Sequence, residues 1–174
     1  MQGTKTPPPA PLYTPEQRRR RDATRWTLVQ GLLAPAQFLV FLVSLVLVLR
    51  TLATGEGLTA ASVSVVVKTL FLYAIMVTGA IWEKRVFGRY LFAPAFYWED
   101  VFSMLVIALH TAYVAALFTG WLGSRGQLLL ALAAFATYVI NATQFILKLR
   151  AARLGEKAAK AALVPSNARL GVAQ

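Results

Sequence analysis

The sequence predicts an all-α membrane protein, a four-transmembrane-helix bundle with both termini in the cytoplasm. Three observations carry that prediction. The 174-residue chain is 57% hydrophobic and 14% charged, with a mean hydropathy of +0.58, too apolar for a water-soluble domain. Four apolar runs, at about 28–52, 61–82, 100–122 and 127–147, are each long enough to cross a bilayer. Basic residues are also shared unevenly among the connections. The N-terminal tail has Lys5, Arg18, Arg19, Arg20, Arg21 and Arg25, the middle loop Lys84, Arg85 and Arg89, and the C-terminal tail Lys148, Arg150, Arg153, Lys157, Lys160 and Arg169. The two remaining loops have only Arg50 and Arg125. The positive-inside rule therefore puts both tails and the middle loop in the cytoplasm, as expected of an inner-membrane protein. The formal net charge of +11 sits beside membrane spans rather than on a soluble face, which argues against nucleic acid as a partner.

Residues 1–26 read as a Pro-rich, basic cytoplasmic tail. Pro7 to Pro9 disfavour helix and predict an extended segment, and Arg18 to Arg21 are placed to lie on an anionic membrane face. The apolar run that follows is too long for a signal peptide and lacks a small-residue cleavage site, so it is read as a retained span. The transmembrane domain then occupies residues 27–150. In span one, Gln30, Gln37 and Ser44 recur every seven residues, each step displaced only about 20° around a helix, and form one polar seam facing protein. Pro35 is a candidate kink between the glutamines. A short Gly-containing loop leads to span two, which carries Lys68, expected to snorkel toward the outer surface about 10 Å away. Span three carries His110 near its middle. After the tight turn Gly123 to Gly126, span four carries Asn141 and Gln144 toward its end. The C-terminal tail, 151–174, begins Ala/Lys-rich and is expected to extend the fourth helix, with Pro165 and Gly171 pointing to disorder beyond. No internal repeat is present.

The absence of cysteine removes disulfides, thiolate metal sites, iron–sulfur clusters and covalently attached haem. One histidine is a poor ligand supply for a zinc site made from protein alone, so no protein metal site is expected, and a haem held by two histidines of one chain is ruled out.

The unusual stretch runs from Ile81 to Leu117. Acids (Glu83, Glu99, Asp100), bases (Lys84, Arg85, Arg89) and rings (Phe87, Tyr90, Phe92, Phe96, Tyr97, Trp98) crowd a short connection between two spans, and His110 follows. Aromatic residues anchor interfaces and basic residues set topology, so neither type is diagnostic. Glu99 and Asp100 also suit the start of a helix, where the dipole favours acids, whereas Glu83 ends one, where it does not. His110 lies about 15 Å below Asp100 at helical rise, and an ionisable group at that depth is a functional candidate. Glu99, Ser103 and His110 share one helical face. If this stripe meets Gln30, Gln37, Asn141 and Gln144, the bundle holds a polar cleft opening to the cytoplasm. Asn, Gln and Ser in spans also serve simply to join helices.

The segments LYTPEQRRRRDAT (12–24), IWEKRVFGRYLFAPAFYWEDVFSMLVIALHTAY (81–113) and YVINATQFILKLRAAR (138–153) resemble the 3-vinyl (bacterio)chlorophyllide hydratases of bacteriochlorophyll synthesis. The resemblance implies a hydro-lyase adding water to the vinyl group on ring A of a magnesium chlorin to give a 1-hydroxyethyl group. It implies no redox or nucleotide cofactor. Such a reaction needs an acid that protonates the terminal vinyl carbon and a group that positions or deprotonates water. A carboxyl group moved from water toward lipid holds its proton more tightly, and Glu83, Glu99 and Asp100 stand at that boundary. His110 either orients water or ligates the substrate's magnesium; the two roles exclude one another. Tyr97 and Trp98, with the neighbouring rings, are placed to stack the macrocycle. Arg85, Arg89 or Lys148 would bind its free carboxylate, with Asn141 and Gln144 lining the cleft. Contacts with other pigment-synthesis enzymes are a further possible role for the basic tails. Competing readings are a non-catalytic tetrapyrrole carrier or assembly protein with His110 as axial ligand, and a small transporter using Lys68 and His110 as a proton relay.

Overall fold

A computed structural model describes residues 11–163. The described residues form five helices: α1 (Pro15–Ala23), α2 (Arg25–Thr54), α3 (Leu58–Phe87), α4 (Tyr97–Thr119) and α5 (Ser124–Leu163). Helices α2 to α5 are long and apolar enough to cross a membrane, which makes this a multi-pass membrane protein. Each packs on its chain neighbour, and α5 closes the ring against α2. The chain therefore runs up and down four times, and α1 meets the far part of α5 at one end. Arg18 pairs there with Glu156 at 3.0 Å.

Spacings of three and four residues select the inward stripe of every span. On α2 it is Gln37, Phe41, Ser44, Val48 and Thr51; on α4 it is Glu99, Ser103, Val106, His110 and Tyr113. The apolar centre is built on Phe41, which meets Phe135 edge-on at 5.5 Å and Tyr138 at 4.9 Å. Outside, Leu28, Leu32, Leu39, Val43 and Val46 of α2 are exposed. A water-soluble bundle would carry charge on that face, whereas lipid requires it to be apolar. The predicted polar seam of span one faces α3: Gln30 donates to the Thr78 hydroxyl at 2.7 Å, and the Ser44 and Ser64 hydroxyls are 2.9 Å apart.

Two expectations are corrected. Residues 15–23 are helical rather than extended. Thr14 and Gln17 form a reciprocal capping box, and Pro15 occupies the first helical position, where a missing N–H costs nothing. The prolines at 7–9 lie outside the described residues. Lys68 does not snorkel: it has no solvent exposure, and its Nζ sits 3.8 Å from the centre of the Tyr138 ring. Its register explains this, because Ala61, Val65, Lys68 and Leu72 fall on one bundle-facing stripe. Helix ends also differ from the limits read from hydropathy. α3 continues to Phe87, so Glu83 lies within it, and α4 runs from Tyr97 to Thr119, closed by the left-handed cap Gly120. α2 continues unbroken through Pro35, and α5 passes residue 150 without interruption to Leu163, as the Ala/Lys-rich composition foreshadowed. Pro165 and Gly171 lie outside the described residues.

Thr14→Ala removes the hydroxyl that accepts from the Gln17 N–H, leaving only the backbone half of the capping box, and is expected to destabilise α1 by about 1 kcal/mol. Amide exchange across residues 15–23 should rise about fivefold, while exchange in α3 and α4 stays unchanged.

Candidate active site

The loop between α3 and α4 folds back over the bundle and brings two carboxyl groups together. Gly88 ends α3 in the left-handed region, and Phe92, also left-handed at φ 57°, turns the chain inward. The Phe92 N–H donates to Asp100 Oδ2 at 2.7 Å, and the Ala93 N–H donates to Glu83 Oε2 at 3.3 Å. Glu83 and Asp100 are 5% and 4% exposed, and their carboxyl groups lie within hydrogen-bonding reach of one another. Asp100 sits in the first turn of α4, where the helix dipole favours an acid, and Glu83 sits near the end of α3, where it does not. A loop amide and a neighbouring carboxyl replace for Glu83 what the helix cannot give.

Glu99 faces the other way. It forms an ion pair with Lys148 of α5 at 2.5 Å, and Lys148 also donates to the Ala95 carbonyl at 2.6 Å. One turn deeper, Asn141 donates to the Ser103 hydroxyl at 2.8 Å. α4 thus presents Glu99 and Ser103 to α5 and Asp100 to α3. Gln144 is half-buried between Asn141 and Lys148 on α5.

The rings divide into two groups. Phe87 and Phe96 belong to a packed cluster with Tyr13, Trp82 and Phe145, with centroids 5.8–5.9 Å apart for the pairs Tyr13–Phe87, Trp82–Phe96 and Phe96–Phe145. That cluster holds the loop down. Tyr90, Phe92, Tyr97 and Trp98 are exposed, and Tyr97 packs against Phe92 at 5.8 Å and Trp98 at 5.5 Å. An aromatic surface therefore adjoins the loop residue that binds Asp100.

Arg85 and Arg89 are exposed. Arg85 is two residues from Glu83 but about 200° around the helix. It lines a concavity of about 400 Å³ with Arg20, Ala23, Thr24, Arg25 and Trp26, away from the carboxyl pair. A second concavity, of about 410 Å³, opens at the opposite end of the bundle beside Leu58, Leu117 and Gln127.

His110 is fully buried, with Nδ1 2.8 Å from the Val106 carbonyl and its ring 5.9 Å from Phe135. It is separated from Asp100 by ten residues of α4, about 15 Å at helical rise, so the structure does not bring it to the carboxyl pair. Among the described residues no three His, Asp or Glu side chains are gathered to hold a metal ion.

Sequence reasoning missed Tyr13, the Phe92 and Ala93 amides and Tyr138. It also took Glu83, Glu99 and Asp100 as one group, without separating the Asp100–Glu83 pair from Glu99. The usable signal was helical phase, since Asp100 and Thr111 share a face, and the Thr111 hydroxyl meets Tyr73 of α3 at 2.7 Å.

Comparison with known proteins agrees with the resemblance read from the sequence. The family model for 2-vinyl bacteriochlorophyllide hydratase matches residues 13–151. A protein of that name from Cereibacter sphaeroides is 69% identical over 158 residues, covering 89% of this chain and 98% of the relative. Another of that name, from Rhodobacter capsulatus, is 71% identical over 143 residues, covering 82% of this chain and 83% of the relative. No solved structure matches. The matched region takes in the carboxyl pair, the loop over it, the Glu99–Lys148 clamp and all four apolar helices, and the chain belongs to the 2-vinyl bacteriochlorophyllide hydratase family.

Proposed function

We propose that this protein hydrates the vinyl group of a chlorophyllide or bacteriochlorophyllide to a 1-hydroxyethyl group, using a proton shared by Glu83 and Asp100. Family membership supports the reaction and the magnesium-chlorin substrate. The observation that carries the site is the pair of buried carboxyl groups facing each other across α3 and α4. Two carboxylates repel; two carboxyl groups in contact need a proton between them, and that proton is the acid the reaction requires.

The steps balance without a cofactor. The pair donates its proton to the terminal CH₂, forming a C–H bond, while the π electrons leave the inner carbon as a cation delocalised into the macrocycle. Water attacks that carbon and forms the C–O bond. Its surplus proton returns to the carboxylate, which restores the pair. The loop amides on Asp100 and Glu83 stabilise the carboxylate in the interval.

The remaining residues take supporting roles. Phe92, Tyr97 and Trp98 stack the plate beside the loop, and Arg89, exposed in the same loop, holds its free carboxylate. Arg85 offers a second cation for that carboxylate from the α1 side. Lys148 and Glu99 clamp the loop to α5 and so fix the position of Asp100. Asn141 and Gln144 line the interior below. His110 handles water rather than magnesium, because a macrocycle centred on it would have to part fully packed helices. The positive-inside rule, applied to the basic residues of both tails and the middle loop, supports a cytoplasmic α1 end, with the substrate entering from the inner leaflet of a bacterial inner membrane.

Glu83→Gln and Asp100→Asn should each lower kcat for a vinyl chlorophyllide in isolated membranes by about 10²–10⁴-fold, the usual weight of a general acid. Retention of full turnover by either variant would remove the pair from the mechanism. Trp98→Ala should leave kcat unchanged and raise KM about three- to tenfold, the loss of one stacking contact, measured in the same membranes.

A further inference from the structure

Below the carboxyl pair, the bundle contains buried polar groups whose bare atoms the proton-transfer steps above leave unexplained. Gln37, Lys68, His110 and Asn141 lie on the inward stripes of all four spans and are at least nine-tenths buried. Gln37 Oε1, Lys68 Nζ, His110 Nε2, Asn141 Oδ1 and the buried Oε1 of Gln144 have no hydrogen-bond partner among the described residues. Leaving so many polar atoms bare in a membrane interior is costly.

Their helical positions line these atoms up along the bundle interior. Lys68 lies against Tyr138 and within electrostatic reach of His110. Tyr138, Asn141 and Gln144 follow one another at three-residue steps up α5, about 9 Å in all. Gln37 stands one turn above Phe41, which itself packs on Tyr138. At the top, Asn141 reaches Ser103, and Ser103 is one turn below Asp100.

The chemistry of the column selects its occupant. The His110 Nδ1–H faces the Val106 carbonyl, which leaves Nε2 as an acceptor in the neutral ring. The column then offers four acceptors and one donor, Lys68. An anion satisfies only the lysine. Water, with two donor and two acceptor sites, satisfies every member.

We propose that these side chains hold a file of buried water molecules running from Lys68 and His110 to the level of Ser103. Its upper end delivers the water consumed at the carboxyl pair. The delivery role rests on the hydratase reading above; the file itself does not.

The chain has no native cysteine, so single cysteines report water access directly. Gln37→Cys and Gln144→Cys, in intact vesicles, should react with methyl methanethiosulfonate at least about tenfold faster than Val48→Cys and Val65→Cys, because only a hydrated thiol ionises to the reactive thiolate. Val48 and Val65 are as deeply buried as Gln37 but lie in the apolar part of the core, so Gln37 against these two is the deciding comparison and the half-buried Gln144 marks the upper end. Equal, slow rates at all four positions would overturn the file. On the unsubstituted protein, radiolytic hydroxyl radicals should oxidise Tyr138 despite its 8% exposure, and an unmodified Tyr138 would count equally against it. Gln37→Leu should lower kcat about tenfold or more with KM for the pigment unchanged. Full kcat in that variant, alongside fast labelling of the cysteines, overturns delivery and leaves the hydratase assignment untouched.

Discussion

Two carboxyl groups face each other at the end of a membrane bundle, and the surrounding structure is arranged to make that tolerable. Placed in contact and out of water, Glu83 and Asp100 would repel as carboxylates. A proton between them removes the repulsion, and an N–H from Phe92 and another from Ala93 satisfy the outer oxygens. Those amides point inward only because Phe92 adopts a left-handed backbone, a conformation a bulky residue holds when its surroundings impose it. The packed rings of Tyr13, Trp82, Phe87, Phe96 and Phe145 impose it from below, and Lys148 does so from the side through the Ala95 carbonyl. Helix α1 belongs to the same support, since it carries Tyr13 at its entrance. The site is thus built from the two helix ends and the loop between them, with the tails bracing it.

The membrane supplies the second constraint. Lipid forces the outer face to be apolar and turns the amide and charged side chains of the spans inward, while outward threonines such as Thr111 and Thr143 bond to carbonyls of their own helix. Gln30, Ser44 and Ser103 do so and find hydrogen-bond partners on neighbouring helices, so they hold the bundle together. Lys68 and His110 turn inward without such partners. The same inward turning therefore produces two kinds of interior polar group, one structural and one available for water, distinguished by their partners rather than by their residue type.

Much of this was legible in the sequence. The four spans, the inward stripe through Glu99, Ser103 and His110, and the importance of the middle loop follow from hydropathy, helical phase and the placement of charge. What was not legible depends on helix order and loop conformation. Asp100 is adjacent to Glu99 in sequence, yet it faces α3 while Glu99 faces α5, and only the packing order decides which acid meets Glu83. Lys148 was read from the sequence only as a cation for a substrate carboxylate, and its pairing with Glu99 was not legible there. Lys68 looked close enough to the surface to snorkel, but its phase with Ala61 and Val65 turns it into the core. The tail looked extended from its prolines at 7–9, although Thr14 and Pro15 start a helix at residue 15.

The central claim is that Glu83 and Asp100 hold one proton between them in the resting protein at neutral pH. Infrared spectroscopy of the protein in membranes, compared in H₂O and D₂O, tests it directly. The account predicts a C=O stretch from one protonated carboxyl group, sensitive to deuterium and lost when either residue is replaced by its amide. A spectrum with both groups as carboxylates, or with a protonated band that survives both replacements, would contradict it.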